Sequence, residues 1–313
     1  MNDINCPIFE QVVDDCLSAK KGSLKRSTYI QYRCQCSGHL LKEFGERPFA
    51  SLTEKELNDY LRSLVEDGYQ NSTVLNIRTI LMMVIRYAHQ TGIPSSIQGP
   101  LFVPRYRHKE MHVFTRREQK QIDSILKEIQ DHYVLAVYLA LYCGLRIGEV
   151  CALQWQDINM RNGTISVSKT LHRLQDPDSS EAKTQIITEL PKTHNSIRTI
   201  PIPAFLMPIL RTYRAPGKYF VITGKETCME PRTCLRRYKT ICRKAHVSDY
   251  SFHTLRHTFA TRCIELGMDT KSLSEILGHA SVKVTLDRYV HPSMDFKKTQ
   301  MNRLRKVFVI DEE

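Results

Sequence analysis

Five short segments of the 313-residue chain carry side chains that could act together on an anionic ligand. Arg146 directly follows an apolar run and stands beside Gly144, which leaves a buried guanidinium room to reach a ligand. His253 and Arg256 are three residues apart, so they share one face of a predicted helix. His279 follows a glycine at the point where another helical pattern ends.

Two further side chains belong to the set. Tyr289 lies ten residues after His279, and Lys192 lies beside a predicted turn. Each residue alone has an ordinary alternative explanation. Arg146 could simply pair with Glu149, Tyr289 could be half-buried packing, and Lys192 could be a solvated turn residue. The order and spacing of the whole set are the informative feature.

The four motifs Gly-Leu-Arg146-Ile-Gly-Glu, His253-Thr-Leu-Arg256-His-Thr-Phe-Ala, Leu277-Gly-His279-Ala-Ser and Asp-Arg-Tyr289 resemble those of the tyrosine recombinase (phage integrase) family. The resemblance is greatest to integrases of conjugative transposons. It covers residues 115–295 strongly and the first ninety residues more loosely. It implies a core-binding domain and a catalytic domain that clamp duplex DNA. The catalytic domain would cut and rejoin strands through a 3′-phosphotyrosine.

The resemblance also implies a role for each side chain in this chemistry. Arg146 and Arg256 are expected to bind the non-bridging phosphate oxygens, because planar guanidinium groups form paired hydrogen bonds with them. Tyr289 is the expected nucleophile. Only about one phenol in a thousand is ionised at pH 7, so the tyrosine needs a base or a positive field. His253 is the candidate base.

Three more residues receive roles from the same resemblance. Lys192 is the expected general acid for the departing 5′-oxygen, with Lys169 as its rival. His279 is expected to donate to a phosphate oxygen, and Glu149 to orient Arg146 or a neighbouring loop. We expect no metal and no other cofactor, because the arginines supply the positive charge and the chain has no GxxxxGK[ST] loop.

Charge also favours a nucleic-acid partner. The formal net charge is +12, and residues 101–313 carry all of it. Arg232, Arg236, Lys239 and Arg243 recur at helical spacing, opposite a face that carries Leu235, Tyr238, Cys242 and Ala245. This basic row predicts contact with DNA phosphates. Lys25 and Arg26 are further predicted DNA contacts.

The pattern of helices and breaks predicts a mainly α protein in three parts. Residues 1–91 are expected to form a four-helix core-binding (SAM-like) domain, and residues 92–113, rich in glycine and proline, a linker. Residues 114–313 are expected to form a mostly α catalytic domain with a small antiparallel β-sheet. Strands are predicted over 164–168, and over 185–190 and 197–202 as a hairpin.

Composition limits the remaining possibilities. The longest uncharged apolar run, Tyr133–Leu145, is too short to span a bilayer, and the N-terminus shows no export signal. We therefore expect a bacterial cytoplasmic, nucleoid-associated protein whose ten cysteines are reduced and mostly buried. The tail carries apolar Leu304, Val307 and Phe308. It could pack on its own domain, or on a neighbouring protomer in the tetramer on two DNA duplexes that the resemblance implies.

Three alternative functions would each explain part of the sequence. A zinc hydrolase could use His253 and His257, which stand at i and i+4, although the glutamate of the HExxH motif is missing. A non-catalytic DNA-binding regulator explains the charge but not the ordered motifs. A type IB topoisomerase shares the expected chemistry, and the apolar tail favours recombination over it.

Overall fold

The computed structural model describes residues 6–103, 111–175, 184–189, 197–248, 250–289, 298 and 301–302. The chain divides into two compact units. One unit comprises Met1–Lys109 with Leu174–Gln185, and the other Glu110–Arg173 with Ile186–Glu313.

The first unit is helical. Its helices are α1 (Phe9–Lys20), α2 (Arg26–Gln35), α3 (Leu41–Phe44), α4 (Glu54–Glu66) and α5 (Asn71–Thr91), with a π-helical turn over Cys36–Leu40. This turn separates α2 from α3. A capping box starts α4, since Thr53 Oγ1 accepts from the Glu56 amide and Glu56 Oε2 accepts from the Thr53 amide.

The segment after α5 packs on the same helical unit. Gly92, in the left-handed conformation at φ 75°, ends α5. Ile97 and Leu101 are fully buried in the core that also contains Phe9 and Leu81. Residues 92–103 contain no helix or strand. Through Ile97 and Leu101 this segment nevertheless contributes to the core of the helical unit. The boundaries at 91 and 113 stay predictions.

The second unit is also mainly helical. A capping box of Thr115 and Glu118 starts α6. The helix α7 is apolar on all sides, and nine of its ten residues are buried in the core, as such a composition requires. The helices are α6 (Arg116–Glu128), α7 (Val134–Cys143), α8 (Ile147–Ala152), α9 (Leu206–Thr212), α10 (Pro231–Lys244), α11 (His253–Glu265), α12 (Thr270–Leu277) and α13 (Val282–Tyr289).

The strands correct one prediction. They are β1 (Ile158–Asn159), β2 (Thr164–Val167), β3 (Thr170–Gln175), β4 (Thr184–Glu189) and β5 (Arg198–Pro201). The predicted hairpin of 185–190 with 197–202 is wrong, because β4 pairs with β3 while β5 pairs with β2 in the antiparallel order β1-β2-β5. The register places Ile165 opposite Ile200, and both are buried. Burial of these isoleucines in one core selects the partner, which strand spacing does not reveal.

These findings confirm a mainly helical fold with a helical N-terminal region and a small antiparallel sheet. All ten cysteines are free thiols, and seven of them are buried. Within the described ranges, no helix has the length and apolar character needed to span a membrane.

Candidate active site

The first arginine of the predicted set lies at the junction between α7 and α8. Gly144 ends α7 in the left-handed conformation at φ 69°, and a Cβ there would lie 2.6 Å from the Phe259 ring. Glycine is therefore required for both backbone and space. Arg146 follows as the N-cap of α8, with a side chain 36% exposed. The guanidinium Nη1 donates to Glu149 Oε1 at 2.9 Å, and the Arg146 amide donates to Oε2.

Glu149 is a buried carboxylate between two arginines. Arg198, which begins β5, donates to it through both terminal nitrogens at 2.9 and 3.0 Å. Burial alone would raise the pKa of Glu149, but the hydrogen bonds and charge of Arg198, followed by the charge of Arg146, lower it to about 2. The carboxylate therefore stays ionised and holds Arg146 in place. Arg198 was not among the predicted site residues, although its motif Ser-Ile-Arg-Thr-Ile-Pro begins four residues after Lys192.

Arg256 is the most enclosed charge of the site, with 1% of its surface exposed. Its Nη1 donates to the Gly144 carbonyl and its Nη2 to the Leu277 carbonyl, each at 2.6 Å. Burial and the nearby charge of Arg146 lower the pKa of Arg256 to about 9. The guanidinium therefore still carries its charge at neutral pH.

Three arginines converge on the carboxyl end of α12. Arg198 Nε donates to the Ile276 carbonyl at 2.6 Å, Arg256 to that of Leu277, and Arg146 Nη2 to that of Gly278 at 3.4 Å. The last carbonyls of a helix lack intrahelical partners and carry the negative end of its dipole. The end of α12 thus gathers three cations that come from distant parts of the sequence.

His279 and Tyr289 follow directly from this helix end. Gly278 ends α12 at φ 62°, and His279 comes next. Nδ1 of His279 lies 2.8 Å from Oγ1 of Thr285, a fully buried residue of α13. Tyr289 ends α13, is 6% exposed and packs in a cluster with Leu273 and Leu277. Its ring is parallel to that of His279, with 6.3 Å between the centroids.

The hydroxyl of Tyr289 contacts a histidine to which the sequence analysis assigned no role in DNA cleavage. Nδ1 of His257 lies 2.8 Å from Tyr289 Oη. The ring of His253, one turn earlier on α11, meets the His257 ring edge to face at 4.3 Å between centroids. The i and i+4 spacing of the two histidines indicated that they share one face of α11, but nothing in the sequence pointed to a contact with Tyr289. Among the described residues, no group of three or more His, Cys, Asp or Glu could hold a metal.

The structure therefore brings together most of the predicted set. Lys192 lies outside the described residues. Lys169 Nζ lies 3.2 Å from Gln154 Oε1 and 3.6 Å from Asp157 Oδ1. Within the second unit, the structure places these predicted residues around the carboxyl end of α12 and the helices α11 and α13: Arg146, Glu149, His253, Arg256, His279 and Tyr289.

The predicted basic row lies on α10 as the spacing indicated. Arg232, Arg236 and Arg243 are exposed, and Lys239 is partly exposed. The opposite face buries Cys234, Tyr238, Ile241 and Cys242 in the core. In the first unit, Lys25 and Arg26 are exposed at the start of α2. Contact of these residues with DNA stays a prediction.

Comparisons with known proteins identify the family of this chain. The sequence model described as "Phage integrase family" matches residues 115–295. The chain is 26% identical to a XerC-like tyrosine recombinase of Caldanaerobacter subterraneus subsp. tengcongensis, over 92% of this chain and 80% of that protein. It is 25% identical to the ICEBs1 integrase of Bacillus subtilis, over 95% and 82%.

Solved structures share the fold. The Tn1549 transposon integrase in complex with circular intermediate DNA superposes with a TM-score of 0.75 at 22% identity, over 95% of this chain and 99% of that one. A λ integrase tetramer bound to a Holliday junction gives 0.66 at 18% identity, over 93% and 80%. Because the family match covers more than half of the sequence, the chain belongs to the phage integrase family, whose members are tyrosine recombinases acting on DNA. The predicted family is confirmed.

Proposed function

We propose that this chain cleaves and rejoins duplex DNA through a 3′-phosphotyrosine at Tyr289, in the integration or excision of a mobile element. The supporting observation is the convergence of Arg146 and Arg256 on the end of α12, in the same unit that buries Tyr289 against Leu277. A phosphodiester needs positioning and charge stabilisation more than any other assistance. Two fixed guanidinium groups near a phenol provide both.

The proposed reaction uses the site residues as follows. Arg146 and Arg256 bind the non-bridging oxygens of the scissile phosphate, and each such donor contributes about 3 kcal/mol to lowering the barrier. Thr285 fixes Nδ1 of His279, and Nε2 donates to a phosphate oxygen. Oη of Tyr289 gives its proton to a histidine of α11 and bonds to phosphorus while the bond to the 5′-oxygen breaks. Lys192, with Lys169 as rival, protonates that oxygen. The phosphotyrosine bond conserves the energy needed to rejoin the strand.

The relatives support the mobile-element role. One relative is the integrase of ICEBs1, and the Tn1549 integrase was solved with transposon right end DNA as well as with circular intermediate DNA. The λ integrase tetramer on a Holliday junction supports a homotetramer on two duplexes. We propose the same assembly here, joined through the C-terminal tail and acting on bacterial DNA in the cytoplasm.

The test is covalent capture on a suicide substrate. Duplexes that carry candidate sites from the DNA flanking the gene are nicked next to the cleavage position, so that the released fragment cannot be rejoined. Wild-type protein is expected to form an adduct that survives denaturation, also in the presence of EDTA, because the arginines supply the required charge. Tyr289→Phe is expected to bind the same DNA and form no adduct. A denaturation-resistant adduct in that variant would exclude Tyr289 as the nucleophile.

A further inference from the structure

We propose that His257 is the base that accepts the phenolic proton of Tyr289 during DNA cleavage, a role that the sequence analysis predicted for His253. This inference rests on the proposed function. A general base must lie within about 2.6–3.2 Å of the atom whose proton it takes. The 2.8 Å separation between His257 Nδ1 and Tyr289 Oη satisfies this condition before any DNA is bound.

Attack by Tyr289 on phosphorus requires an acceptor for its phenolic proton, because a phenol has an ordinary pKa near 10 and is a weak nucleophile at neutral pH. The Tyr289 side chain is 6% exposed and packs in a cluster with apolar Leu273, Leu277 and Ala260. The imidazole of His257 is the group that lies at its hydroxyl. An imidazole already aimed at the hydroxyl can accept the proton as the oxygen–phosphorus bond forms, so that no free phenolate has to accumulate.

The helices α11 and α13 fix the positions of His257 and Tyr289. His257 lies in the second turn of α11, the helix whose Arg256 is anchored on the Gly144 and Leu277 carbonyls. Tyr289 ends α13, which Thr285 links to His279. Arg256, which is proposed to bind the phosphate, and His257, the proposed base, are thus consecutive residues of α11. The proposed nucleophile, Tyr289, lies on the neighbouring helix α13.

The proposed proton transfer balances in both directions. In the tautomer that carries hydrogen on Nε2, Nδ1 of His257 takes the proton from Tyr289 Oη and becomes imidazolium. Oη bonds to phosphorus, and the bond from phosphorus to the 5′-oxygen breaks. The 5′-oxygen takes a proton from the proposed general acid Lys192. On rejoining, the 5′-hydroxyl gives its proton back to Lys192 as its oxygen attacks phosphorus, the tyrosine leaves, and His257 returns the proton to Oη.

The variants His257→Asn and His257→Ala separate proton transfer from positioning. Asparagine places an amide oxygen near the position of Nδ1, so it accepts the hydrogen bond but cannot take the proton. We expect both variants to bind DNA normally and to lower the single-turnover rate of adduct formation by about 10²–10⁴-fold. His246→Asn is the matched control, because His246 is exposed and has a positive φ that asparagine tolerates.

A fluorinated tyrosine at position 289 gives the decisive comparison. Its phenol has a lower pKa and ionises without a base, so it is expected to recover most of the rate lost in both His257 variants. The proposal is overturned if His257→Asn reacts at the wild-type rate, which would show a positioning role only. It is also overturned if the fluorinated residue recovers nothing.

Nitrogen NMR of the histidines tests the contact independently of activity. Wild-type protein without DNA is expected to show an unprotonated, hydrogen-bonded Nδ1 at His257, and its signal is expected to shift in Tyr289→Phe. A protonated Nδ1 would overturn the proposed base. Absence of any adduct in the wild type would instead count against the proposed function, and the NMR result would still decide whether the hydroxyl donates to Nδ1.

Discussion

The arginines of the site differ in how they are held, and this difference follows from what each one contacts. Arg256 is enclosed and fixed by two carbonyl oxygens, whereas Arg146 is about one-third exposed and is fixed by Glu149. Arg198 is almost as buried as Glu149 and shares its carboxylate. Glu149 is therefore the residue through which Arg146 and the strand β5 are connected.

Removal of the Glu149 charge is expected to destabilise the protein. Glu149→Gln leaves Arg198 buried without its charged partner, which costs about 3–5 kcal/mol of unfolding free energy at pH 7. Urea unfolding measures this, with exposed Glu128→Gln as the control. Adduct formation is expected to fall as well, because Arg146 loses its anchor. An unfolding free energy within 0.5 kcal/mol of the wild type, about the range of a neutral surface change, would show that Glu149 is dispensable.

The effect of Glu149 is expected to depend on pH in a defined direction. Folding lowers the pKa of this carboxyl from its ordinary value near 4.5 to about 2. Its stabilisation, about 3 kcal/mol from the size of this shift, is therefore complete above pH 4.5 and is lost as the pH falls toward 2. The difference in stability between the wild type and Glu149→Gln should shrink over this interval. A difference that stays constant from pH 7 to pH 2 would contradict the lowered pKa.

At the scale of elements, α10 and α12 differ in where their charged contacts lie: those of α12 are inside the unit, and those of α10 are on its surface. The helix α12 turns its carboxyl end toward arginines from α8, α11 and β5, so its terminal carbonyls are satisfied inside the unit. The helix α10 buries one face and exposes a row of cations with no acidic side chain among them. An exposed row of this kind is suited to a polyanion, whereas the buried cluster is suited to one phosphate.

The α10 row is expected to contribute to DNA affinity through salt-dependent contacts. Arg236→Ala removes one exposed cation, so the slope of log affinity against log salt should become less steep by about 0.9. Fluorescence anisotropy with a labelled duplex at several salt concentrations measures the slope. Arg211→Ala, an exposed arginine of α9, is the control. An unchanged slope in Arg236→Ala would remove this row from the DNA interface.

At the scale of the whole molecule, the proposed strand exchange requires an assembly. One active site cuts one strand, whereas exchange between two duplexes requires several cuts in a defined order. A tetramer on two duplexes provides four such sites. The tail that carries Leu304 and Phe308 is the segment proposed to join neighbouring protomers.

Mass measurement of protein–DNA complexes tests this assembly. Wild-type protein with its duplex site is expected to form a complex of four chains and two duplexes. The double variant Leu304→Ser, Phe308→Ser is expected to bind a single site with unchanged affinity and to lose the four-chain complex. Leu266→Ser, which changes an apolar residue 78% exposed at the end of α11, is the control. A four-chain complex retained by the double variant would show that the tail does not join protomers.

The sequence by itself determined the helices, the family and most residues of the candidate site. The helix that Thr53 caps and the apolar helix α7 were predictable because capping and periodicity act within a few residues of chain. The motifs around Arg146 and Tyr289 were recognisable because their residue types are tied to one chemistry.

Only the tertiary structure decided which distant groups meet. The pairing of β5 with β2, the bidentate contact of Arg198 with Glu149 and the contact of His257 with Tyr289 each join residues separated by more than 30 positions. Such partners are selected by how whole elements pack and by which buried polar groups need satisfaction. Local sequence patterns carry no information about that selection, so these contacts follow from the fold alone.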